Sequence, residues 1–247
     1  MSHNQIEQYL KTLSLHRINE IYLQEAENAA KTKLSYQDYL LRLLEAQVLT
    51  KMERSVNRKM QIAGFPDIKR LEEFDFSYQP QINEKLIREL SGLEFLNAGK
   101  NVLFVGPPGV GKTHLAISLG IKACQARKRV IFYSAEQLTD ELASAEVSGM
   151  LNKKLDLLLR IDLLIIDELG YLTLNNQTAK LLFQLVSKRY EKGSIIVTTN
   201  KPFEQWGEIF TDDVIAAAVL DRLLHHSYPF FINGKSYRLK NVKNLKQ

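Results

Sequence analysis

Gly106-Pro107-Pro108-Gly109-Val110-Gly111-Lys112-Thr113 stands directly after the apolar run Asn101-Val102-Leu103-Phe104-Val105. It opens a stretch, His114-Leu115-Ala116-Ile117, whose apolar residues recur at helical spacing. A strand, a glycine-rich turn and a helix in that order decide the fold. Gly109 and Gly111 allow a backbone path whose N–H groups converge on phosphate oxygens. The helix adds its free N–H groups and the positive end of its dipole. Lys112 is long enough to reach β- and γ-phosphates, and the Thr113 hydroxyl can ligate Mg²⁺. Gly106, Pro107, Pro108, Gly109, Val110, Gly111, Lys112, Thr113 and His114 are therefore the candidate ATP-binding residues.

Further along, Leu163-Leu164-Ile165-Ile166 reads as a strand buried on both faces, with Asp167 and Glu168 emerging at its C-terminal end. Open α/β sheets bind ligands at that end. Asp167 joins Thr113 as a candidate Mg²⁺ ligand, while Glu168 points elsewhere and can polarise an attacking water. Ser194-Ile195-Ile196-Val197-Thr198-Thr199 is a third buried strand, after which Asn200 could orient the water and sense the γ-phosphate. The catalytic set expected is Lys112, Asp167, Glu168, Asn200 and an arginine finger. Arg222 is the leading finger, with Arg189 and Arg238 as competitors. Glu168 beside Asp167 argues for water as the acceptor and against a small-molecule kinase.

Strands are expected at 101–105, 130–134, 162–167 and 194–199, with helices at about 81–97, 112–126, 136–145 and 177–191 and another after Thr211. That alternation implies a three-layer α/β domain on a parallel sheet. The run from 130 to 134 lies between the first and third strands in the chain, as in the additional-strand group of P-loop ATPases. Phe230-Phe231-Ile232-Asn233-Gly234-Lys235-Ser236-Tyr237-Arg238-Leu239 reads as a hairpin turning at Asn233-Gly234. Residues 4–60 carry neither Pro nor Gly and repeat apolar residues at helical steps, with Ile6, Leu10 and Leu13 in one stripe. Tyr39, Leu40, Leu43, Leu44 and Val48 form another, and Ser35 with Asp38 resembles a capping box. Gly64-Phe65-Pro66 breaks the pattern ahead of an irregular linker. The organisation expected is an all-α N-terminal domain over 1–68 and an ATPase domain over 69–247.

The 247 residues are 45% hydrophobic and 25% charged, an ordinary globular balance that excludes wholesale disorder. The greasiest stretch is interrupted by Arg160 and Asp162, so no membrane span is expected. The polar first thirty residues do not resemble a targeting peptide, and the lone Cys124, read as a packing residue, suits a reducing cytoplasm. The histidines show no ligand spacing, and Phe203 and Trp206 read as loop anchors. Net charge is +5. Lys51, Arg54, Arg58, Lys59, Lys69 and Arg70 outweigh Glu53 and Asp67 in one basic cluster, the candidate DNA-binding set. Arg222, Lys235, Arg238, Lys240, Lys243 and Lys246 form a second cluster without any acid.

GPPGVGKTHLA, LLIIDELGY, VTTNKPFEQW and DRLLHH together resemble the AAA+ ATPases related to the DnaC bacterial helicase loader. Within them they resemble the IstB-type ATP-binding helpers of insertion-sequence transposition. The resemblance spans nearly the whole chain, including LEEFDFSYQP ahead of the core. It implies that Gly106–Thr113 is a Walker A loop, Asp167-Glu168 a Walker B pair, Asn200 a sensor and Arg222 a finger acting in trans. It also implies a homo-oligomer with ATP at subunit interfaces, double-stranded DNA as ligand, and a cognate transposase as partner. A replicative helicase loader shares that ATPase core. AAA+ proteins usually carry a helical lid after the sheet, and none is expected here. That leaves open whether Arg238 replaces a lid arginine.

Overall fold

The computed structural model describes residues 2–171 and 173–239. Contacts divide the chain into two compact units, the first ending at Arg58 and the second starting at Lys59, upstream of the expected 68/69 boundary.

The first unit is helical. α1 (Ser2–Thr12) and α2 (His16–Thr32) precede α3 (Tyr36–Ala63), whose last turn belongs to the second unit. Ile18 and Tyr22 of α2 and Leu43 of α3 form its small core. The side-chain oxygen of Gln47 accepts the N–H groups of Arg17 and Ile18 at 3.0 and 3.3 Å, satisfying donors that a helix N-terminus leaves free. Ser35 opens α3 by accepting the Asp38 N–H at 3.1 Å and donating its hydroxyl to the Asp38 carboxylate at 2.6 Å. Of the expected α3 stripe, Leu43 is buried, whereas Leu40, Leu44 and Val48 are exposed.

The second unit is built on a parallel sheet of order β2-β3-β4-β1-β5. Its strands are β1 (Asn101–Val105), β2 (Val130–Ser134), β3 (Leu163–Leu169), β4 (Ser194–Thr199) and β5 (Ser227–Phe231). β2 lies between β1 and β3 in the chain but at the sheet edge in space. The strand that separates β1 from β3 is β4, paired in parallel with both. Alternation along the strands supplies two apolar layers. Val102, Phe104, Leu163, Ile165 and Ile196 face α4 (Glu84–Leu90), α5 (Glu94–Asn97) and α6 (Lys112–Gln125). Leu103, Leu164, Ile166, Ile195 and Val197 face α7 (Ala135–Val147), α8 (Leu151–Leu159), α9 (Asn176–Arg189), α10 (Trp206–Phe210) and α11 (Asp213–Leu224). Trp206 and Phe210 are fully buried in that second layer.

Three local expectations change. The helix expected over 81–97 is two pieces, because the chain reverses at Gly92 and at Leu93, whose φ is +68°. α8 was not anticipated, since its leucines merge in sequence with those of β3. The hairpin at 230–239 does not form. Ser227–Phe231 pairs in parallel with β1 instead, and the Ile232 N–H continues that ladder to the Val105 carbonyl at 2.8 Å. Asn233 and Lys235 are then tied to a different partner: Gln81 accepts the Asn233 N–H at 3.2 Å and the Gln79 amide donates to the Lys235 carbonyl at 2.8 Å. Pro229 sits mid-strand in β5, opposite Leu103.

Candidate nucleotide-binding site

The Gly106–Thr113 loop leaves the C-terminal end of β1 and becomes the first turn of α6. Gly109 and Gly111 have φ of +81° and +99°, and both are closely covered. A side chain at Gly109 would strike Ser236, and one at Gly111 would come within 2.5 Å of the Phe74 ring. Glycine is thus required twice at each, for conformation and for space. Lys112 is buried, and its ammonium donates to the Gly106 and Pro107 carbonyls at 2.7 and 2.8 Å. Burial pushes its pKa below the ordinary lysine value.

Thr113 and Asp167 meet across the sheet, the hydroxyl 2.9 and 3.1 Å from the two carboxylate oxygens. Two hard oxygen donors side by side at the phosphate end of a helix suit Mg²⁺. Asp167 is itself buried. That burial raises its pKa, outweighing the hydroxyl donors Thr198 and Thr113 that favour the ionised form. Beyond Asp167 the β3–β4 ladder slips: Ile166 pairs with Val197 but Leu169 with Thr199. Asp167 and Glu168 together therefore oppose Thr198, a bulge that breaks strand alternation. Glu168 has φ of +61°, unusual for a side-chain-bearing residue, and turns into the cleft.

The cleft holds about 520 Å³ and is lined by the loop from Pro108 to His114 together with Glu168 and Thr198. The expected linker is not loose but forms one wall, from Pro66 to Asp75. His114 Nε2 lies 2.8 Å from the Arg70 carbonyl, Ser118 donates to the Lys69 carbonyl at 3.0 Å, and Lys122 pairs with Glu72 at 2.6 Å. Phe74 stacks edge-on against His114. Tyr237 and Arg238 close the other side, with the Tyr237 N–H donating to the Gly109 carbonyl at 2.8 Å.

The structure thus gathers Lys112, Thr113, His114, Asp167 and Glu168 in one place. Asn200 lies just outside: it does not line the cleft, and its side-chain oxygen is buried behind Gly170 with no hydrogen-bond partner among the described residues. Arg222 is remote from its own chain's cleft, donating to the Ala218 carbonyl at 2.8 Å with its guanidinium 4.9 Å above the Phe183 ring. Arg189 is a structural residue and not a finger. It is 1% exposed and donates to the carbonyls of Leu158, Ile161 and Ser194 at 2.6, 3.0 and 2.8 Å. Arg238 is in the cleft of its own chain.

Of the basic cluster, Lys51, Arg54 and Arg58 are exposed on α3, recur on one helical stripe, and enter no ion pair among the described residues. Lys59 is half-buried. Lys69 instead lines the cleft and pairs with Asp67 at 2.5 Å, and Arg70 pairs with Glu73 at 3.5 Å. In the second cluster Lys235 is exposed, whereas Lys240, Lys243 and Lys246 lie outside the described residues. Two histidines without ligand spacing in the sequence nevertheless come together in space. His225 caps α11, so the adjacent His226 leaves the helix and comes with it beside Glu191, their ligand atoms within 4.8 Å of one another. No described helix is long and apolar enough to cross a membrane. Sequence reasoning missed Phe74, Thr198 and Tyr237. For Phe74 a signal existed, since Phe74 and Phe76 alternate with Glu73 and Asp75 in an otherwise irregular linker.

Asp167→Asn should make the protein more stable in EDTA at pH 7, because an amide carries no charge to bury. A folded-state pKa above the unfolded value means that the wild type loses stability as pH rises through it. The advantage of D167N therefore shrinks as pH falls toward 4. Urea unfolding across that range measures it, and a difference independent of pH would contradict the assignment.

Glycine-rich loop, buried lysine, threonine–aspartate pair and a sheet with a strand inserted between the two motif-bearing ones define a P-loop nucleotide-binding protein of the AAA+ class. Solved structures agree on the fold. AMPPCP-bound DnaA from Aquifex aeolicus superposes with a TM-score of 0.58 at 22% identity over 74% of this chain and 56% of that one. The DnaC helicase loader does so at 0.50 and 23% over 62% and 88%. A family model described as IstB-like ATP binding protein matches residues 8–245, and the chain belongs to that family. It is 44% identical to the ATP-binding protein of insertion sequence IS5376 from Geobacillus stearothermophilus, over 96% of this chain and 95% of that one. It is also 44% identical to the ATP-binding protein of insertion sequence IS21 from Pseudomonas aeruginosa, over 97% and 91%.

Proposed function

We propose that this chain is a Mg²⁺-dependent ATPase that assembles with ATP on double-stranded DNA and recruits or activates the transposase of an insertion sequence. The observation that carries the ATPase part is the convergence of Lys112, Thr113, Asp167 and Glu168 at one end of the cleft. The loop N–H groups and the α6 N-terminus bind phosphate oxygens, and Lys112 leaves its carbonyl partners to pair with the β- and γ-phosphates. Thr113 and Asp167 hold Mg²⁺, which neutralises charge on the phosphate oxygens when bound. Glu168 takes the proton of the attacking water. Arg238 contacts phosphate from the same chain, Asn200 turns to the γ-phosphate once the cleft is filled, and Arg222 reaches the nucleotide of a neighbouring subunit.

The insertion-sequence relatives support the transposition part, because they match over nearly their full length. With Lys69 lining the cleft and Arg70 paired with Glu73, the DNA-tracking set taken here is Lys51, Arg54, Arg58 and Lys59. Four phosphate contacts predict a slope of log K against log salt of roughly −4. No base-reading motif is evident, so backbone and shape recognition is the mode expected. A reducing cytoplasm suits the buried free thiol of Cys124.

Sedimentation with ATP and Mg²⁺ on a duplex of about fifty base pairs, against a single strand of equal length, tests the assembly. Large ATP-dependent species on duplex with the stated salt slope are expected. Assembly confined to single strands would favour a helicase loader.

A further inference from the structure

We infer that Thr198 is a positioning residue that sets Asp167 and Glu168 in their two different roles. This rests on the ATPase reading above. Two consecutive residues on a regular strand point to opposite faces of the sheet. Asp167 and Glu168 nevertheless serve one cleft, because the β3–β4 bulge places both against the single residue Thr198.

The bulge has a chemical consequence. It sets the Glu168 N–H against Thr198, where it needs an acceptor, and a part-buried N–H left unpaired is costly. The Thr198 hydroxyl is that acceptor, taking the Glu168 N–H at 2.9 Å. A hydroxyl also carries one proton to donate, and Thr198 gives it to Asp167 Oδ1 at 2.5 Å. One fully buried oxygen therefore orients the carboxylate on one side and holds the left-handed backbone of Glu168 on the other. Thr113, the other hydroxyl on Asp167, is the one that must turn toward a metal, so Thr198 is the partner that remains. Threonine suits the task because its branched Cβ restricts χ1.

Thr198→Val keeps the shape and loses both hydrogen bonds, whereas Thr198→Ser keeps both. T198V should lower the hydrolysis rate at saturating ATP by about 10–100-fold, the usual cost of losing a group that orients metal ligands. Its KM should stay within about threefold, because Lys112 and the glycine loop are untouched. The Mg²⁺ concentration needed for half-maximal binding of a fluorescent ADP should rise by about tenfold, a readout that needs no turnover. T198S should restore all three to within about threefold. T198V hydrolysing within twofold of wild type would overturn the assignment, as would T198S failing as badly as T198V, which would mark a packing role. Should T198V not fold, T198A takes its place. Wild type and E168Q run alongside: a wild type without hydrolysis overturns the ATPase reading, and the Mg²⁺ dependence of ADP binding then decides Thr198 by itself.

Discussion

Glu168→Gln lowers the ATP hydrolysis rate by about 10²–10⁴-fold, the usual contribution of a positioned general base. ATP affinity stays within a few-fold, because the phosphate donors are the loop N–H groups and Lys112, and no hydrogen bond or ion pair joins the Glu168 side chain to the loop or Thr113 among the described residues. The amide is nearly the same size as the carboxylate and can keep the +61° backbone, so the fold is spared. What it lacks is the capacity to accept a proton from water. If ATP binding assembles subunits and hydrolysis releases them, the assembly outlives that of wild type by the same factor. Single-turnover hydrolysis and the decay of the sedimenting species on ATP dilution measure the two separately. A fast-hydrolysing E168Q would remove Glu168 from the chemistry. A slow one whose assembly still falls apart at the wild-type rate would break the link between hydrolysis and release.

Lys112→Ala weakens ATP binding by about 10²-fold or more, equivalent to about 2.7 kcal/mol. The lysine is the cation buried at the loop, and its pKa is lowered by that burial, so its charge is poorly compensated until phosphates arrive. Removing it takes away the strongest partner for phosphate at little cost to the empty protein, whose melting temperature should hold or rise. Fluorescent-nucleotide titration gives the affinity, and sedimentation shows whether assembly is lost with it. Assembly by K112A in ATP at wild-type concentrations would mean that nucleotide does not drive association.

The glycine loop, the threonine–aspartate pair and Glu168 were legible in the sequence because each depends on local chemistry: glycine at left-handed positions, carboxylates at a strand end, an apolar run before them. The cleft walls were not. Phe74 and Lys69 belong to a segment with neither helix nor strand periodicity. What fixes it is a set of long-range contacts to α6, among them His114 to Arg70 and Ser118 to Lys69, which no spacing rule encodes. Arg189 misled for a related reason. A basic residue near a helix end looks like a surface group until three carbonyls from α8, its C-terminal loop and β4 are seen to surround it. The 230–239 segment was misassigned because Asn-Gly is a strong local turn signal. Here tertiary pairing of β5 with β1, and the glutamines at 79 and 81, outweighed it.

Pro229 bears on what this protein avoids. The Ile232 N–H points inward to β1, so by alternation the even-numbered residues of β5 donate inward and the odd-numbered ones outward. Pro229 therefore withholds a donor from the outer rim of the sheet, midway along its outermost strand. A foreign strand seeking to zip onto that rim meets a gap in the ladder and a ring in its path. For the ATP-dependent assembly proposed above, this flank is thereby protected from runaway cross-β stacking. Crowding many copies together need not seed fibres along it.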